Sequence, residues 1–312
     1  MSEAAAGAVD AVVVTFNSAA VIGRCLAKLP PSLAVTVVDN DSGDDTLPVA
    51  RAARPDARLL KMPRNIGYGA AANRGFAGGR APYAMLLNPD AVLGEGAAAA
   101  LVTAGERYPD AGLLAPCSRD PRGRIEFRRR TAHARFLTNP GDAPIQPEGD
   151  CCAPFVGGAV LMFRRAAFDA IGGFDERIFL FGEDDDICLR LSAAGWSLVH
   201  VADAEAFHLG GASSVPMPHL AWWKHWHRQW SELYLSRKHG GAGNLAPFLS
   251  LIAASAKSAG YGLLRDTRKA RRYGAAASAS LAFALGREAQ KVGIQLRPVF
   301  GPLAAGSSGE AR

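Results

Sequence analysis

The feature that most constrains this chain is the alternation, in its N-terminal third, of short apolar runs with segments of helical spacing. Each apolar run stops at polar residues, as in "VDAVVVTFNS", "AVTVVDNDS" and "YAMLLNPDAVL". Between the runs lie the helical segments "AAVIGRCLAKL", "LPVARAARP" and "GYGAAANRGFAGG", with a further short strand, "ARLLKM". This alternation predicts βαβ units, and therefore an α/β fold whose mostly parallel, Rossmann-like sheet carries helices on both faces.

The polar residues that end these strands are the first candidates for function. Ligands of open α/β sheets bind outside the carboxyl ends of the parallel strands. At those ends the chain has Thr15-Phe16-Asn17, Asp39-Asn40-Asp41 and Asn88-Pro89-Asp90. We therefore expect three polar clusters to converge on one rim of the sheet.

The remainder of the body has one loose stretch and then a second ordered part. Residues 110–154 are rich in Pro, Gly and Arg and predict a long surface excursion. A strand and a helix follow in "FVGGAVLMFRRAAFDAIGGFDERIF". Next come an acidic run, the helix "DICLRLSAAG" and the strand "WSLVHVADAEAFHL".

Cysteine usage indicates a reducing compartment. The five cysteines are an odd number at irregular spacings, and two of them are adjacent. That pattern suits neither a disulfide framework nor a zinc site. The first residues also lack the basic segment that opens a signal peptide. We expect reduced thiols in a cytoplasmic protein.

Charge divides the chain into two unequal parts. Residues 1–212 hold 21 Lys and Arg against 25 Asp and Glu, whereas residues 213–312 hold 14 against 4. The basic part opens with "HLAWWKHWHRQWSELYLSRKHG", which has amphipathic spacing. Its partner is expected to be anionic, either nucleic acid or a membrane surface. Interfacial helices fit its Trp, Lys and Arg content better than a spanning helix; a solvated basic face and a homodimer interface remain open.

Asp39 and the glycines after it are candidates for nucleotide binding. A carboxylate at the end of a buried strand needs partners. Asp39 could accept a hydrogen bond from a base edge, but "DNDSGDDT" is equally typical of turn and cap chemistry. Gly67, Gly69 and Gly75 would let the backbone approach a nucleotide, although their spacing matches neither common phosphate-binding motif.

Asp90 and His208 are the candidate metal ligands. The proline before Asp90 turns the chain out of its strand, so the carboxylate projects from the rim. A carboxylate so placed suits Mg²⁺ or Mn²⁺, which keep phosphate oxygens and waters as further ligands. His208 also ends a strand; it is either a structural histidine or a ligand that favours Mn²⁺.

Four consecutive acids, Glu183 to Asp186, precede the helix that contains Arg190. The positive end of a helix dipole stabilises acids in the first turn, which accounts for one or two of the four. Another could serve as a general base, desolvated by the preceding "IFLF" and raised in pKa by its neighbours. Asp186 is expected to begin the helix, and to cap it or pair with Arg190.

In this order the clusters resemble the inverting glycosyltransferases of family 2, which have the GT-A fold, and in particular their bacterial rhamnosyltransferase-like branch. The motifs are "VVVTFNS", "VVDNDSGDDT", "NIGYGAAANRG", "LLNPDAVL", "GGAVLMFRRAAFDAIGGFDERIFLFGEDDDICLRLSAAGW" and "HLGGAS". They span residues 9–214, so the resemblance implies a GT-A domain over residues 1–212. Residues 213–312 form a basic, aromatic helical tail that matches only loosely.

The resemblance implies a role for each matching residue. Asp184 is the catalytic base, with Glu183 beside it, and Asp90 and His208 hold Mg²⁺ or Mn²⁺ on the sugar-nucleotide diphosphate. The nucleotide-binding residues are Thr15, Phe16, Asn17, Asp39, Asn65, Gly67, Asn73 and Asn88.

One position departs from the family pattern. The family's Asp-x-Asp motif is Asn88-Pro89-Asp90 here, so one metal carboxylate is missing. Asn-Pro-Asp is common among rhamnosyltransferase-like members, which points to dTDP-rhamnose as donor and leaves open whether the metal is strictly required.

The acceptor side and the partners are implied less directly. Arg128, Arg129 and Arg130 would hold the phosphate of a polyprenyl-linked glycan, unless they belong to a solvated loop, and Trp196 lies on the acceptor side. The resemblance implies a peripheral enzyme of surface-polysaccharide synthesis at the inner membrane face, without nucleic acid. A metal-dependent phosphohydrolase and a non-catalytic sugar-nucleotide or lipid-binding protein are the alternatives.

Overall fold

A computed structural model describes residues 7–125, 127, 147–157, 159–208, 220–240 and 243–289. Its centre is a sheet with the strand order β3-β2-β1-β4-β8-β6-β9-β5, and β7 pairs with β9. The strands are β1 (Val9–Thr15), β2 (Ala34–Asp39), β3 (Arg58–Lys61), β4 (Tyr83–Leu87), β5 (Ala91–Leu93), β6 (Ala111–Arg119), β7 (Cys151–Cys152), β8 (Val160–Arg164) and β9 (Ser197–His208).

Helices cover both faces of this sheet. They are α1 (Ala19–Ala27), α2 (Thr46–Ala53), α3 (Tyr68–Phe76), α4 (Ala97–Arg107), α5 (Arg165–Ala170), α6 (Glu183–Ala193), α7 (Leu220–Lys238), α8 (Ala246–Leu263) and α9 (Thr267–Ala284). The α/β class and the helices on both faces are as expected from the sequence.

The sheet is mixed rather than mostly parallel, which corrects one detail of the prediction. Strands β3, β2, β1 and β4 run parallel, as the βαβ pattern requires. Strand β8 is antiparallel to both β4 and β6, whereas β6 and β9 are parallel. A buried apolar run such as β8 has no periodicity that distinguishes the two directions, so its sequence did not reveal that it runs antiparallel.

Alternation along the strands divides the interior into two cores. On β1, the side chains of Val9, Ala11 and Val13 pack with α1, α2 and α4 on one face. Val12 and Val14 point to the other face, toward α3, α5 and α6. Because both faces are buried, the central strands β1, β4 and β8 consist mostly of buried apolar residues.

The tail begins with a helix that packs against the body. Its three buried tryptophans, Trp223, Trp226 and Trp230, form a third core with Phe179 of the body and Phe283 of α9. An interfacial helix would present these tryptophans to a membrane, whereas here the three face the protein interior. None of the helices in the described ranges has the length and apolar character needed to cross a bilayer. The division at residue 212 stays a prediction.

Candidate functional site

The polar strand ends converge, as expected, on one cavity of about 240 Å³ at the carboxyl edge of β1, β2 and β4. Residues from the loop before α6 and from α7 close its other side. The lining consists of Val14, Thr15, Phe16, Ser18, Asn40, Asn65, Gly67, Tyr68, Asn88, Pro89, Phe179, Leu180, Phe181, Glu183, Asp184, Leu220, Trp223 and Lys224.

Asp39 lies behind the cavity wall, with 1% of its surface exposed. Its Oδ1 accepts hydrogen bonds from the hydroxyls of Thr15, at 3.2 Å, and Ser42. Its Oδ2 accepts one from the Ser42 backbone N–H at 3.2 Å. These partners offset the burial of the carboxylate. A carboxylate has about four acceptor sites, so capacity for a ligand N–H remains.

Asn40 and Asn65 hold the opposite wall. The Asn40 side-chain amide donates to Asn65 Oδ1 at 3.0 Å and to the Gly67 carbonyl at 3.1 Å. Gly67 has φ +94°, and a Cβ there would lie 2.7 Å from the carbonyl oxygen of Phe179. This wall therefore requires glycine at position 67, both for the dihedral angle and for the close approach to Phe179.

Tyr68 connects the wall to the Asn-Pro-Asp segment. Its phenol donates a 2.6 Å hydrogen bond to Asn88 Oδ1. Burial, followed by the nearby charges of Asp184 and Glu183, raises the pKa of Tyr68 well above its ordinary value. The phenol is therefore a fixed donor, and it occupies one acceptor site of the residue that replaces the family's first metal carboxylate.

Asp90 and His208 come together as predicted. His208 Nε2 lies 3.6 Å from Asp90 Oδ1, and the Asp90 side chain is 1% exposed. Both carboxylate oxygens of Asp90 are buried without a hydrogen-bond partner, an arrangement that is costly unless a cation or donor compensates it. The pair fits a divalent cation that completes its shell with phosphate oxygens and water. No cluster of three His, Cys, Asp or Glu side chains within the described residues could hold a metal by itself.

Glu183 and Asp184 stand at the first turn of α6 and line the cavity. The helix begins earlier than expected, so all four acids lie in its first turn. Two left-handed residues, Phe181 at φ +66° and Gly182 at φ +90°, turn the chain into the helix. Burial raises the pKa of Glu183 to about 7, and the charge of Asp185 adds to the effect.

Asp186 has a structural role. It pairs with Arg190 at 2.7 Å, as predicted for residues four apart on one helix. It also lies 2.7 Å from the ammonium of Lys238 and 2.9 Å from His239 Nε2. The buried acid, 0% exposed, thereby joins α6 to the end of α7.

The sequence reasoning missed Tyr68 and Lys224. Lys224 is the only Lys or Arg among the described residues that line the cavity, and it comes from α7. The segment "AWWKHWHRQW" that contains Lys224 fits an interfacial helix, a homodimer interface or a solvated basic face, and none of these predicts a cavity residue.

Several predicted site residues do not line the cavity. Asn17 Oδ1 accepts from the Gly43 N–H at 2.8 Å. Asn73 clamps Phe174, donating to its carbonyl at 3.0 Å and accepting from its N–H at 2.9 Å, so we revise its role to a structural one. Trp196 packs against Gly112 in the second core, which does not favour an acceptor contact. Arg128, Arg129 and Arg130 lie outside the described residues.

Comparison with known proteins agrees with this geometry. A family model described as "Glycosyltransferase like family 2" matches residues 6–229. The N-acetylglucosaminyl-diphospho-decaprenol L-rhamnosyltransferase of Mycobacterium tuberculosis H37Rv is 31% identical over 271 residues, and the match covers 74% of this chain and 84% of that one. Rhamnosyltransferase WbbL of Escherichia coli K12 is 35% identical over 89 residues, which are 28% of this chain and 31% of that one.

The fold is also found among solved structures. The mannosyltransferase PcManGT from Pyrobaculum calidifontis, in complex with GDP-Man and Mn²⁺, superposes with a TM-score of 0.57. The match covers 88% of this chain and 87% of that one at 20% sequence identity, so it shows a common fold.

Proposed function

This chain belongs to glycosyltransferase family 2 and is a nucleotide-sugar-dependent glycosyltransferase, and we propose that it transfers L-rhamnose from dTDP-rhamnose to a polyprenyl-diphosphate-linked sugar. The observation that carries the proposal is the M. tuberculosis relative, similar over most of both chains and named for an L-rhamnosyl transfer to N-acetylglucosaminyl-diphospho-decaprenol. The product would be a lipid-linked glycan for cell-surface polysaccharide.

The nucleotide half of the donor would bind between the two walls of the cavity. Asp39 keeps acceptor capacity for a pyrimidine N–H, and Thr15 and Ser42 hold its carboxylate in place. Gly67 and Asn65 form the other wall, beside which the ribose would lie. Phe16 supplies an apolar surface between them.

The diphosphate would lie near Asn88, Asp90 and Lys224. Asp90 and His208 would hold Mg²⁺ or Mn²⁺, and the cation would offset the charge that develops on the leaving diphosphate. The supporting observation is the pair of buried Asp90 oxygens without a hydrogen-bond partner. Lys224 adds a positive charge on the same cavity, and it would partly compensate for the amide of Asn88 in place of a metal carboxylate.

Asp184 would act as the base. It would take the proton of an acceptor hydroxyl while that oxygen attacks the anomeric carbon from the face opposite the diphosphate, which inverts its configuration. Its position at the first turn of α6, on the same cavity as Asn88, supports this role. Burial raises the pKa of Glu183 beside it to about 7, which would lessen the negative charge that faces the diphosphate at neutral pH.

The lipid-linked acceptor and the position of the enzyme at the membrane are part of the same proposal. A polyprenyl-linked acceptor resides in a membrane, so the enzyme would act as a peripheral protein on the cytoplasmic face. A metal-dependent phosphohydrolase is disfavoured by the same geometry. That chemistry uses several carboxylates around paired metals, whereas Asp90 has one histidine beside it.

The test is a transfer assay with purified protein, Mg²⁺ or Mn²⁺, and a short polyprenyl-diphosphate N-acetylglucosamine acceptor. Donors are dTDP-rhamnose, UDP-glucose and GDP-mannose at equal concentration. The proposal expects a rhamnosylated lipid with dTDP-rhamnose and little product with the other two. Transfer from UDP- or GDP-sugars in preference would overturn the rhamnose assignment, and release of free sugar without acceptor would favour a hydrolase.

A further inference from the structure

One face of α8 is apolar along its whole length and open to solvent. The helix extends over about 27 Å at 1.5 Å per residue. Its exposed apolar residues recur at intervals of three and four, which places them on a single stripe. The exposed α8 stripe consists of Leu245, Phe248, Leu249, Ile252 and Leu263, with exposed fractions from 51% to 87%, and Ala256 and Ala259 lie between them.

The opposite face of α8 accounts for all of its packing. Only Pro247 and Ala254 are buried along this helix. The inner face meets α9, where Ser258 Oγ donates to the Ala270 carbonyl at 2.9 Å and Ser280 bonds Ser250 at 3.1 Å. The stripe thus lies on the outer surface of the helical tail. Apolar patches of this extent on soluble proteins mark sites of association.

The charges around the exposed α8 stripe are mostly positive. Residues 243–289 contain seven Lys and Arg and two acids. Four of the cations, Arg268, Lys269, Arg271 and Arg272, lie in the first two turns of α9. One of the two acids, Asp266, caps that helix and pairs with Lys269 at 3.2 Å. The stacked rings of Tyr261 and Tyr273, centroids 5.5 Å apart, lie among these cations.

We propose that the exposed α8 stripe inserts into the interfacial region of an anionic membrane, with the α9 cations against the lipid phosphates. A second copy of this chain fits less well, because pairing two such faces would bring two sets of like charges together. Amphipathic helices with basic flanks bind anionic bilayers because they bury apolar side chains and are attracted to the lipid charges. The inference rests on the proposed function, since a lipid-linked acceptor gives the enzyme a reason to reside there.

The test is vesicle co-sedimentation, without donor or acceptor, of the whole chain and two variants. The vesicles are phosphatidylcholine alone, or with about one third phosphatidylglycerol. Ile252→Glu places a charge in the stripe, and Ala52→Glu adds the same charge on an exposed position of α2. We expect the wild type to bind the anionic vesicles and to be released by salt. Ile252→Glu should weaken binding by about tenfold or more, and Ala52→Glu should leave it nearly unchanged.

Equal binding by the two variants, or no binding of the wild type to anionic vesicles, would overturn the proposal. Sedimentation velocity without lipid tests whether a second copy of the chain binds the stripe instead. A wild-type dimer that Ile252→Glu dissociates would assign the stripe to that second copy. Circular dichroism confirms that both variants are folded. Transfer to a water-soluble acceptor analogue is measured in parallel, because failure of the proposed function would abolish it while vesicle binding would persist.

Discussion

Helices α7 and α8 follow one another in the chain with nearly equal length, and each carries large apolar side chains, but these side chains face different surroundings. Three of the four tryptophans of α7 are 2–7% exposed and belong to one core cluster with Phe179 of the body. The large apolar side chains of α8, such as Ile252 at 66%, are open to solvent. Hydrophobic spacing identifies an amphipathic helix, but the surface that covers its apolar face is decided by tertiary packing.

The difference matters for function because α7 touches the loop that presents the proposed base. Ser231 Oγ donates to the Leu180 carbonyl at 3.2 Å, and the guanidinium of Arg228 lies 4.9 Å from the ring of Phe181. A Cβ on Gly182 would lie 2.8 Å from Leu235. We infer that α7 belongs functionally to the catalytic body and that α8 is the peripheral part of the tail.

The largest expected contrast is in stability. Trp226→Ala removes a buried ring of α7 and should lower the free energy of unfolding by about 3–5 kcal/mol. Phe248→Ala removes a half-exposed ring of α8 and should change it by less than about 0.5 kcal/mol. Urea unfolding of both variants measures the difference. Equal losses would contradict the assignment of α7 to the core and α8 to the surface.

The loop beside α7 should also give the protein a pH-dependent stability. Glu183 has a pKa of about 7 when folded, against 4.5 ordinarily, so the folded state binds the proton more tightly. Its ionisation therefore costs stability as pH rises from about 4.5 to 7, by about 3 kcal/mol in full. Glu183→Gln removes this cost, and it should be the more stable protein at pH 8, with the gap closing toward pH 4.5.

A second buried group, His227, also makes stability depend on pH, so the wild type has to be compared with Glu183→Gln. Burial lowers the pKa of His227 on α7 to about 3. The folded state holds this imidazole neutral, so its contribution to stability is lost as pH falls from 6.5 toward 3. The two slopes oppose each other in the wild type. Subtracting the free energy of unfolding of Glu183→Gln from that of the wild type at each pH cancels the contribution of His227. A difference that does not vary with pH would show that Glu183 titrates normally.

The third contrast concerns two lysines. Lys224 of α7 lines the cavity, whereas Lys257 of α8 is exposed beside Tyr273. Lys224→Met should weaken dTDP binding by about tenfold, as expected for the loss of a charge-assisted contact. Lys257→Met should leave nucleotide affinity unchanged. Isothermal titration with dTDP measures both, and unchanged affinity in Lys224→Met would remove this residue from the diphosphate site.

The smallest expected effect is on the free energy of unfolding, which a Gly→Ala substitution should lower in the loop beside α7 and raise in α8. Gly182→Ala places a Cβ on a residue at φ +90° against Leu235, and should destabilise the protein by about 1–2 kcal/mol. Gly260→Ala lies within α8 where a Cβ meets nothing, and should stabilise it by about 0.5–1 kcal/mol. Thermal unfolding measures both shifts. Stabilisation by Gly182→Ala would contradict the described geometry of the loop.

The rim of the site was predictable from sequence because parallel strands end on one edge. Thr15, Asp39 and Asn88 each follow a run of buried residues, and the structure brings their strand ends together. Asp90 and His208 could be expected to lie together because each of them follows or ends a strand. These residues follow from strand order and from the period of side chains along a strand.

The remaining features depend on contacts between distant segments, which periodicity does not encode. Asn73 resembles a site residue in its motif, yet its amide bonds Phe174, about a hundred residues away. Tyr68 reaches Asn88 only after α3 packs on β1. Lys224 lies in an aromatic and basic segment whose sequence fits an interfacial helix, a homodimer interface or a solvated face, and none of these predicts a cavity residue. In each case the short motif was visible and its partner was not.

Asp184, presented by a loop that α7 supports, is the proposed base of glycosyl transfer. The most direct measurement is kcat of Asp184→Asn under saturating dTDP-rhamnose and acceptor, with dTDP affinity measured alongside and Asp185→Asn as the neighbouring control. We predict a loss of about 10²–10⁴-fold in Asp184→Asn with unchanged dTDP affinity, while Asp185→Asn keeps most of its turnover. Near-wild-type turnover in Asp184→Asn would contradict the account.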